Sequence, residues 1–500
     1  MAWREKWGGS LSDREVADDD RPQKGWNRVQ TSLVDYQGRF LFRIEGRMIM
    51  DQQDEQKLSR SLKSRHITMI AIGGAIGTGL FLGSGSAIKA AGPSIILTYL
   101  IVGIFCFFMM RALGELLLAD LNKHSFIDSI QEYLGDRMGF IAGWMYWSCW
   151  LTLAMADLTA TGIYLRYWFP SLPQWVGPLS IIILLMLINM VNVGLFGELE
   201  TAFSLIKIFA IIALIAVGLI MVVFGMPTAT GHASLSNLVN YGGFFPKGFL
   251  GFLLSFQMVA FAFVGIEMVG LTAGETKNPK KDIPKAINTL PIRIGLFYVG
   301  SMLAIMAIYP WTKIQTSSSP FVQVFAGIGI TGAAGILNFV VLTAAMSATN
   351  SAIFSTSRSL YSLAEGHHAP ARFRKLSNKA VPNAALQFSS LILLVVVILN
   401  YLMPSGIFEV ISGVSTINFI FVWIFIAACH LRFRKQHPAG VPEFSMPGYP
   451  LTDWATIIFF IGVLVILVFI KSTQISLLVS IIFIIALFIG YSFTSKAKKQ

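Results

Sequence analysis

Apolar runs of about twenty residues, separated by short polar links, follow one another from residue 67 almost to the C-terminus, each long enough for a helix to cross the hydrocarbon core. About twelve such segments are predicted, near 67–88, 94–119, 139–165, 178–195, 201–224, 248–272, 291–309, 327–357, 384–402, 407–431, 452–470 and 474–494. The pattern is that of an all-α polytopic membrane protein. Two runs are broken by glycine: Ile72-Gly73-Gly74-Ala75-Ile76-Gly77-Thr78-Gly79-Leu80-Phe81 in the first and Phe261-Ala262-Phe263-Val264-Gly265-Ile266-Glu267 in the sixth. They open two successive sets of five segments, the placement expected of a transporter with paired discontinuous helices.

Glycine gives up more backbone entropy than any other residue on entering a helix, so these interruptions need compensation. In hydrocarbon an unwound backbone persists only where protein buries it or a wet cavity meets it, and there its N–H and C=O groups are available to a polar ligand. Close packing through small residues would also suit Gly73, Gly77 and Gly79, but the matched second stretch favours a ligand site.

Composition agrees with the pattern. Of the 500 residues 55% are hydrophobic and 13% charged, with a mean hydropathy of +0.66, which excludes an ordinary soluble multidomain protein. The net charge of +12 raises the question of nucleic acid, but the cations are sorted by loop. With the first segment entering from the cytoplasm, inner loops and tails from Lys57 onward hold about 22 Lys/Arg and outer loops about 5, so both termini are expected to be cytoplasmic. Clusters such as Lys277/Lys280/Lys281/Lys285 and Arg432/Arg434/Lys435 then set topology and meet anionic headgroups. Cys106, Cys149 and Cys429 fall in spans without metal or redox spacing, and no histidine is expected deep in a span, so neither a metal nor a cofactor is predicted.

Residues 1–56 form a polar extension ahead of the transmembrane domain at 57–500 and lack a signal-peptide core. They are expected to be disordered; a rival expectation is that synthesis starts at Met48 or Met50 and that residues 1–49 are absent from the native protein.

Charged residues within spans need reasons. Lys207 lies about two turns, roughly 10 Å, into the predicted fifth span, where an unpaired ammonium is costly. A site that opens to water and closes again would let it bind and release a proton; a snorkelling or fixed ion-pair role is the alternative. Arg111 and Glu115 are four apart on the second span, which predicts a structural ion pair. Glu267 either fixes the broken backbone beside it or shares a proton pathway. Asp157 requires a partner or lines the substrate path. Ser347, Thr349, Asn350 and Ser351 give the eighth span a polar face.

From about residue 58 onward the chain resembles the amino acid–polyamine–organocation superfamily, and within it the bacterial amino acid permeases. The resemblance is carried by His66-Ile67 and 71–85 in the first span, Gly92-Pro93-Ser94 through Arg111-Ala112-Leu113-Gly114-Glu115-Leu116, and Phe196-Gly197-Glu198 with Ile206-Lys207-Ile208. Residues 261–267, Glu275-Thr276-Lys277-Asn278-Pro279 and Ser355-Thr356-Ser357-Arg358 extend it. Met155-Ala156-Asp157, Trp168-Phe169-Pro170, Phe245-Pro246-Lys247-Gly248 and Pro291-Ile292-Arg293-Ile294 are similar to the D-serine/D-alanine/glycine permease branch. The resemblance implies two inverted five-helix repeats, with helices 1 and 6 broken, followed by two more helices.

A zwitterionic amino acid at mid-membrane needs N–H donors for its carboxylate and C=O acceptors for its ammonium. A half-helix starting near Thr78-Gly79 offers the first, and carbonyls ending the preceding half near Ala75-Ile76 offer the second. By resemblance, Thr78 and Gly79 contact the carboxylate, Ala75, Phe261 and Val264 the ammonium, Gly265 completes the second break, Phe261 forms a lid, and Lys207 replaces a sodium ion in coupling. The expected function is proton-coupled import of a small neutral amino acid, with uncoupled exchange, or transport of GABA, proline or L-alanine, as alternatives. There is no Walker-type Gly-x-x-x-x-Gly-Lys-Ser/Thr, no His-Glu-x-x-His and no catalytic cluster, so an enzyme or ATP-driven pump is disfavoured.

Overall fold

The computed structural model describes residues 30–34, 40–44, 47–50, 69 and 76–497, apart from 122, 124, 192, 229, 269, 271–277, 328–330 and 378–379. The chain divides into two units, Met1–Gln56 and Lys57–Gln500. The described residues of the first are three antiparallel strands, β1 (Gln30–Val34), β2 (Phe40–Ile44) and β3 (Arg47–Met50), with Leu41 opposite Met50 and Ile44 opposite Arg47. Phe40, Phe42 and Ile44 give β2 the aromatic and β-branched character that favours strand pairing.

The second unit is built of helices. Among its described residues, nine helices have the length and hydropathy of a membrane crossing. One of them, Gly79–Ala119, turns at Gly92, whose φ of 63° is a left-handed conformation suited to glycine, and so contains two crossings. Asp136–Leu165, whose Trp, Tyr, Ser and Thr residues dilute its hydropathy, and the shorter Val176–Val191 complete the twelve predicted spans.

The third span (Asp136–Leu165) runs through the interior against the eighth (Thr331–Glu365) and tenth (Ile407–Gln436). Small residues allow the approach: a Cβ at Gly143 would lie 2.5 Å from Leu363 Cδ2. Side-chain hydrogen bonds add direction, Asn338 Nδ2 donating to the Tyr164 carbonyl at 2.9 Å and Trp147 Nε1 to Ser389 Oγ at 3.0 Å. The eleventh (Leu451–Phe469) and twelfth (Gln474–Ala497) spans are peripheral and expose apolar side chains such as Phe469 and Leu478, as helices facing lipid do.

Two spans begin earlier than hydropathy predicts. The fifth covers Val193–Val223, so Lys207 stands near its middle rather than two turns from its start. Glu198 and Glu200 had masked this extension, and Glu200 is fully buried. The inward stripe of this helix is Ser204, Lys207, Ile211 and Leu214, at spacings of three and four, while Phe209, Leu219 and Val223 face outward. The seventh span is led by the polar helix Pro279–Asn288 and contains a π-helical stretch at Ile294–Gly300.

Candidate functional site

The first span bends at Ile76-Gly77, and a π-helical segment, Gly79–Gly83, follows, leading into Ser84–Ala91. Leu80 and Phe81 both donate their amides to the Gly77 carbonyl at 3.2 Å, which places Thr78 and Gly79 at the N-terminal end of a half-helix. Ala75 lies outside the described residues.

Asp157, fully buried on the third span, sits at this terminus. Thr78 Oγ1 donates to Asp157 Oδ1 at 2.5 Å, and the Thr78 amide faces the same carboxylate. A carboxylate belonging to the protein thus occupies the place that the sequence assigns to a ligand's, where the half-helix dipole favours negative charge. The Thr78 hydroxyl is committed to Asp157.

The sixth span runs as Gly248–Leu254 and Phe256–Phe263, breaks, and resumes as the short turn Ile266–Met268. At the break Val264 is extended (φ −58°, ψ 138°) and Gly265 has φ 94°, a conformation that glycine alone adopts readily. This broken backbone lies directly on the first span. A Cβ added to Gly79 would stand 2.6 Å from Ala262 Cα and 2.9 Å from the Phe261 carbonyl oxygen, so only glycine permits the approach. The Ala262 carbonyl accepts from Tyr298 OH at 3.1 Å. Glu267 lies against the same break and accepts from Trp423 Nε1 at 3.2 Å.

On the fifth and eighth spans, Lys207 Nζ donates to Ser347 Oγ at 3.0 Å, and Ser347 Oγ donates to Glu200 Oε1 at 2.7 Å. Lys207 and Glu200 are 3.9 Å apart and both are fully buried. Asn350, one turn further along the eighth span, accepts from Asn189 Nδ2 at 2.7 Å. Ser204 Oγ donates to the Met69 carbonyl at 3.1 Å, tying the fifth span to the first. The composition of this cluster, an ammonium and a carboxylate joined through a hydroxyl, allows a proton to move without leaving a buried charge unpaired.

Residues 66–500 match the family model described as amino acid permease. The chain belongs to this family. It is 57% identical over 439 residues to the amino-acid permease AapA of Bacillus subtilis (strain 168), covering 87% of this chain and 95% of the relative. It is 49% identical over 449 residues to the D-serine/D-alanine/glycine transporter of Escherichia coli O6:H1, covering 89% and 96%. It is 42% identical over 420 residues to the L-asparagine permease of Escherichia coli (strain K12), covering 83% and 84%. The protein is therefore a multi-pass amino acid transporter and not an enzyme.

In the permease a cavity of about 670 Å³ opens between the ends of the third, eighth and tenth spans and the first half-helix. Tyr164, Arg166, Asn338, Phe408 and Glu409 are among its lining residues. Phe261 stands behind Phe408, the two rings packed edge to face with centroids 6.0 Å apart, so this pair lies between the vestibule and the sixth-span break.

The expected ion pair between Arg111 and Glu115 does not form. Arg111 donates to Asn288 Oδ1 at 2.9 Å and to the Ser445 carbonyl, and its guanidinium lies over the Phe444 ring. Glu115 accepts instead from His430 Nε2 (2.9 Å), Arg434 (2.9 Å) and the Val441 (3.1 Å) and Met446 (2.6 Å) amides. Sharing a helix face only permits a pair, and here the following segment and the tenth span supply better donors. His430 also contacts Asp453 at 3.0 Å and is fully buried, so one histidine does lie within a span. Sequence position at a segment end hid it; only the distant partners reveal its burial.

Glu115 is the hub that holds the 437–450 segment to the second span. Glu115→Ala is expected to destabilise the permease by about 3–5 kcal/mol, because His430 and Arg434 lose their common acceptor. Thermal unfolding in detergent reads this, and a melting curve identical to the parent's would contradict it.

Proposed function

We propose that this permease imports a small neutral amino acid, of the glycine, D-alanine and D-serine type, by proton symport across the plasma membrane, with both termini in the cytoplasm. The observation that carries this reading is the contact between the two broken spans at Gly79 and Phe261-Ala262, with Lys207 buried on the adjoining face of the fifth span. The substrate carboxylate is assigned to the amides at Thr78 and Gly79, and its ammonium to carbonyls near Ala75, Ile76, Phe261 and Val264, with Gly265 keeping the second set open. Asp157 contributes to the same end of the half-helix. Because it already meets Thr78, an incoming carboxylate must share or displace it.

The substrate class rests on the kinship with D-serine/D-alanine/glycine transporters and on the Phe261–Phe408 pair, which restricts the space beside the break. Proton coupling rests on Lys207. If one proton accompanies each zwitterion, 100 mV supplies about 2.3 kcal/mol, enough for roughly 40- to 50-fold accumulation.

The test is uptake of labelled glycine into proteoliposomes that contain no amino acid. D-alanine and D-serine are expected to compete more strongly than GABA, proline or L-alanine, and a protonophore to collapse accumulation. Uptake that requires amino acid inside the vesicles would replace symport by exchange, and preferential competition by another amino acid would reassign the substrate.

A further inference from the structure

Glu200 has no part in the reading above, yet its geometry ties it to Lys207. The two residues are seven apart on one helix, two turns, and so share a face. Ser347 of the eighth span is inserted between them, accepting from Lys207 Nζ at 3.0 Å and donating to Glu200 Oε1 at 2.7 Å. Glu200 Oε2 is buried and has no hydrogen-bond partner among the described residues. A fully buried carboxylate with one oxygen unsatisfied is expensive, and a proton on the carboxyl would neutralise it.

We propose that Glu200 is the internal proton partner of Lys207, joined to it through the Ser347 hydroxyl, and that this chain of three residues carries the coupled proton. The inference rests on the proton-coupled reading and adds where the proton goes. As an N–H bond of the Lys207 ammonium breaks, its proton passes to Ser347 Oγ while Ser347 gives its own hydrogen to Glu200 Oε1. The products are a neutral amine, a re-formed hydroxyl and a neutral carboxyl. The cluster thus passes from an ion pair to a neutral pair, and the cycle closes when the Glu200 carboxyl gives its proton to water on one side and the Lys207 amine takes one from water on the other, so that one proton crosses and the ion pair is restored.

Among the described residues, the other charged groups nearby are fixed by their own contacts. Asp157, across the site on the third span, acts on Lys207 electrostatically and is bound to Thr78. Arg358 of the eighth span lies 3.6 Å over the Phe354 ring, which stacks at 4.0 Å on Phe196, one turn before Glu200. The seventh span, also packed on the fifth, presents Ser301, whose hydroxyl is bonded to the Phe297 and Tyr298 carbonyls.

The experiment compares full-length Glu200→Gln, Ser347→Ala, Ser347→Thr and Lys207→Ala in proteoliposomes, measuring glycine accumulation under a proton gradient and, separately, counterflow without one. Glu200→Gln is expected to lose about ten-fold or more of the accumulation ratio, with counterflow reduced much less. Ser347→Ala is expected to slow gradient-driven uptake at least about ten-fold, and Ser347→Thr, which keeps the hydroxyl, to restore most of the rate. Because Glu200→Gln leaves Lys207 without its carboxylate, the double variant Glu200→Gln/Lys207→Met serves as the folded control, expected to be stable and uncoupled. Parental accumulation by Glu200→Gln, or equal rates for Ser347→Ala and Ser347→Thr, would overturn the proposal. Parental accumulation by Lys207→Ala would instead overturn the underlying symport reading.

Discussion

Lys207→Ala is expected to reduce the glycine accumulation ratio from roughly 40-fold at 100 mV to about unity, a loss of some 2.3 kcal/mol of usable driving force per transported charge. The residue lies midway along the fifth span, fully buried, on the stripe that faces the first and eighth spans. Without its amine the remaining carboxylate chemistry has no base that faces Ser347. Accumulation and equilibrium exchange are measured together, because a merely structural lysine would lower both in step. Undiminished concentrative uptake by the variant would exclude the coupling role, and parallel loss of exchange with a lowered melting temperature would assign Lys207 to scaffolding.

The parts of this site that were legible in the sequence are those written in local pattern. Glycine within an apolar run announces an interruption because few other features tolerate one in hydrocarbon, and Val264-Gly265 breaks where the sixth stretch predicts. What remained hidden is pairing over distance. Thr78 meets Asp157 across 79 residues, Lys207 meets Ser347 across 140, and Glu115 meets His430 across 315. No spacing rule relates such positions, and an i,i+4 rule gave Arg111 the wrong partner. Glu200 was missed for a related reason. Hydropathy counts a glutamate as a boundary and so places the start of the fifth span after it, whereas a glutamate that is paired can be carried into the interior.

The second large effect separates close approach from simple smallness among the glycines of the first span. Gly79→Ala is expected to cut glycine transport at least about 100-fold, because overpacking of this kind costs about 1–3 kcal/mol even where side chains can yield, and here they cannot. The new Cβ would stand 2.6 Å from Ala262 Cα, 2.9 Å from Ala262 N and 2.9 Å from the Phe261 carbonyl oxygen, all backbone atoms of the opposing break. Relief requires the two broken spans to separate, which displaces the amides and carbonyls assigned to the substrate. Gly77→Ala, two residues earlier, is the internal comparison: its Cβ would meet Ala348 Cβ at 3.6 Å, an ordinary contact, and transport is expected to stay within about three-fold of the parent. Initial rates of glycine uptake, normalised to the amount of folded protein recovered, distinguish the two. If both alanines impair uptake alike, the first span tolerates no added volume anywhere and the specific contact with the sixth span carries no weight; if neither does, the broken spans are not held together at Gly79 during transport.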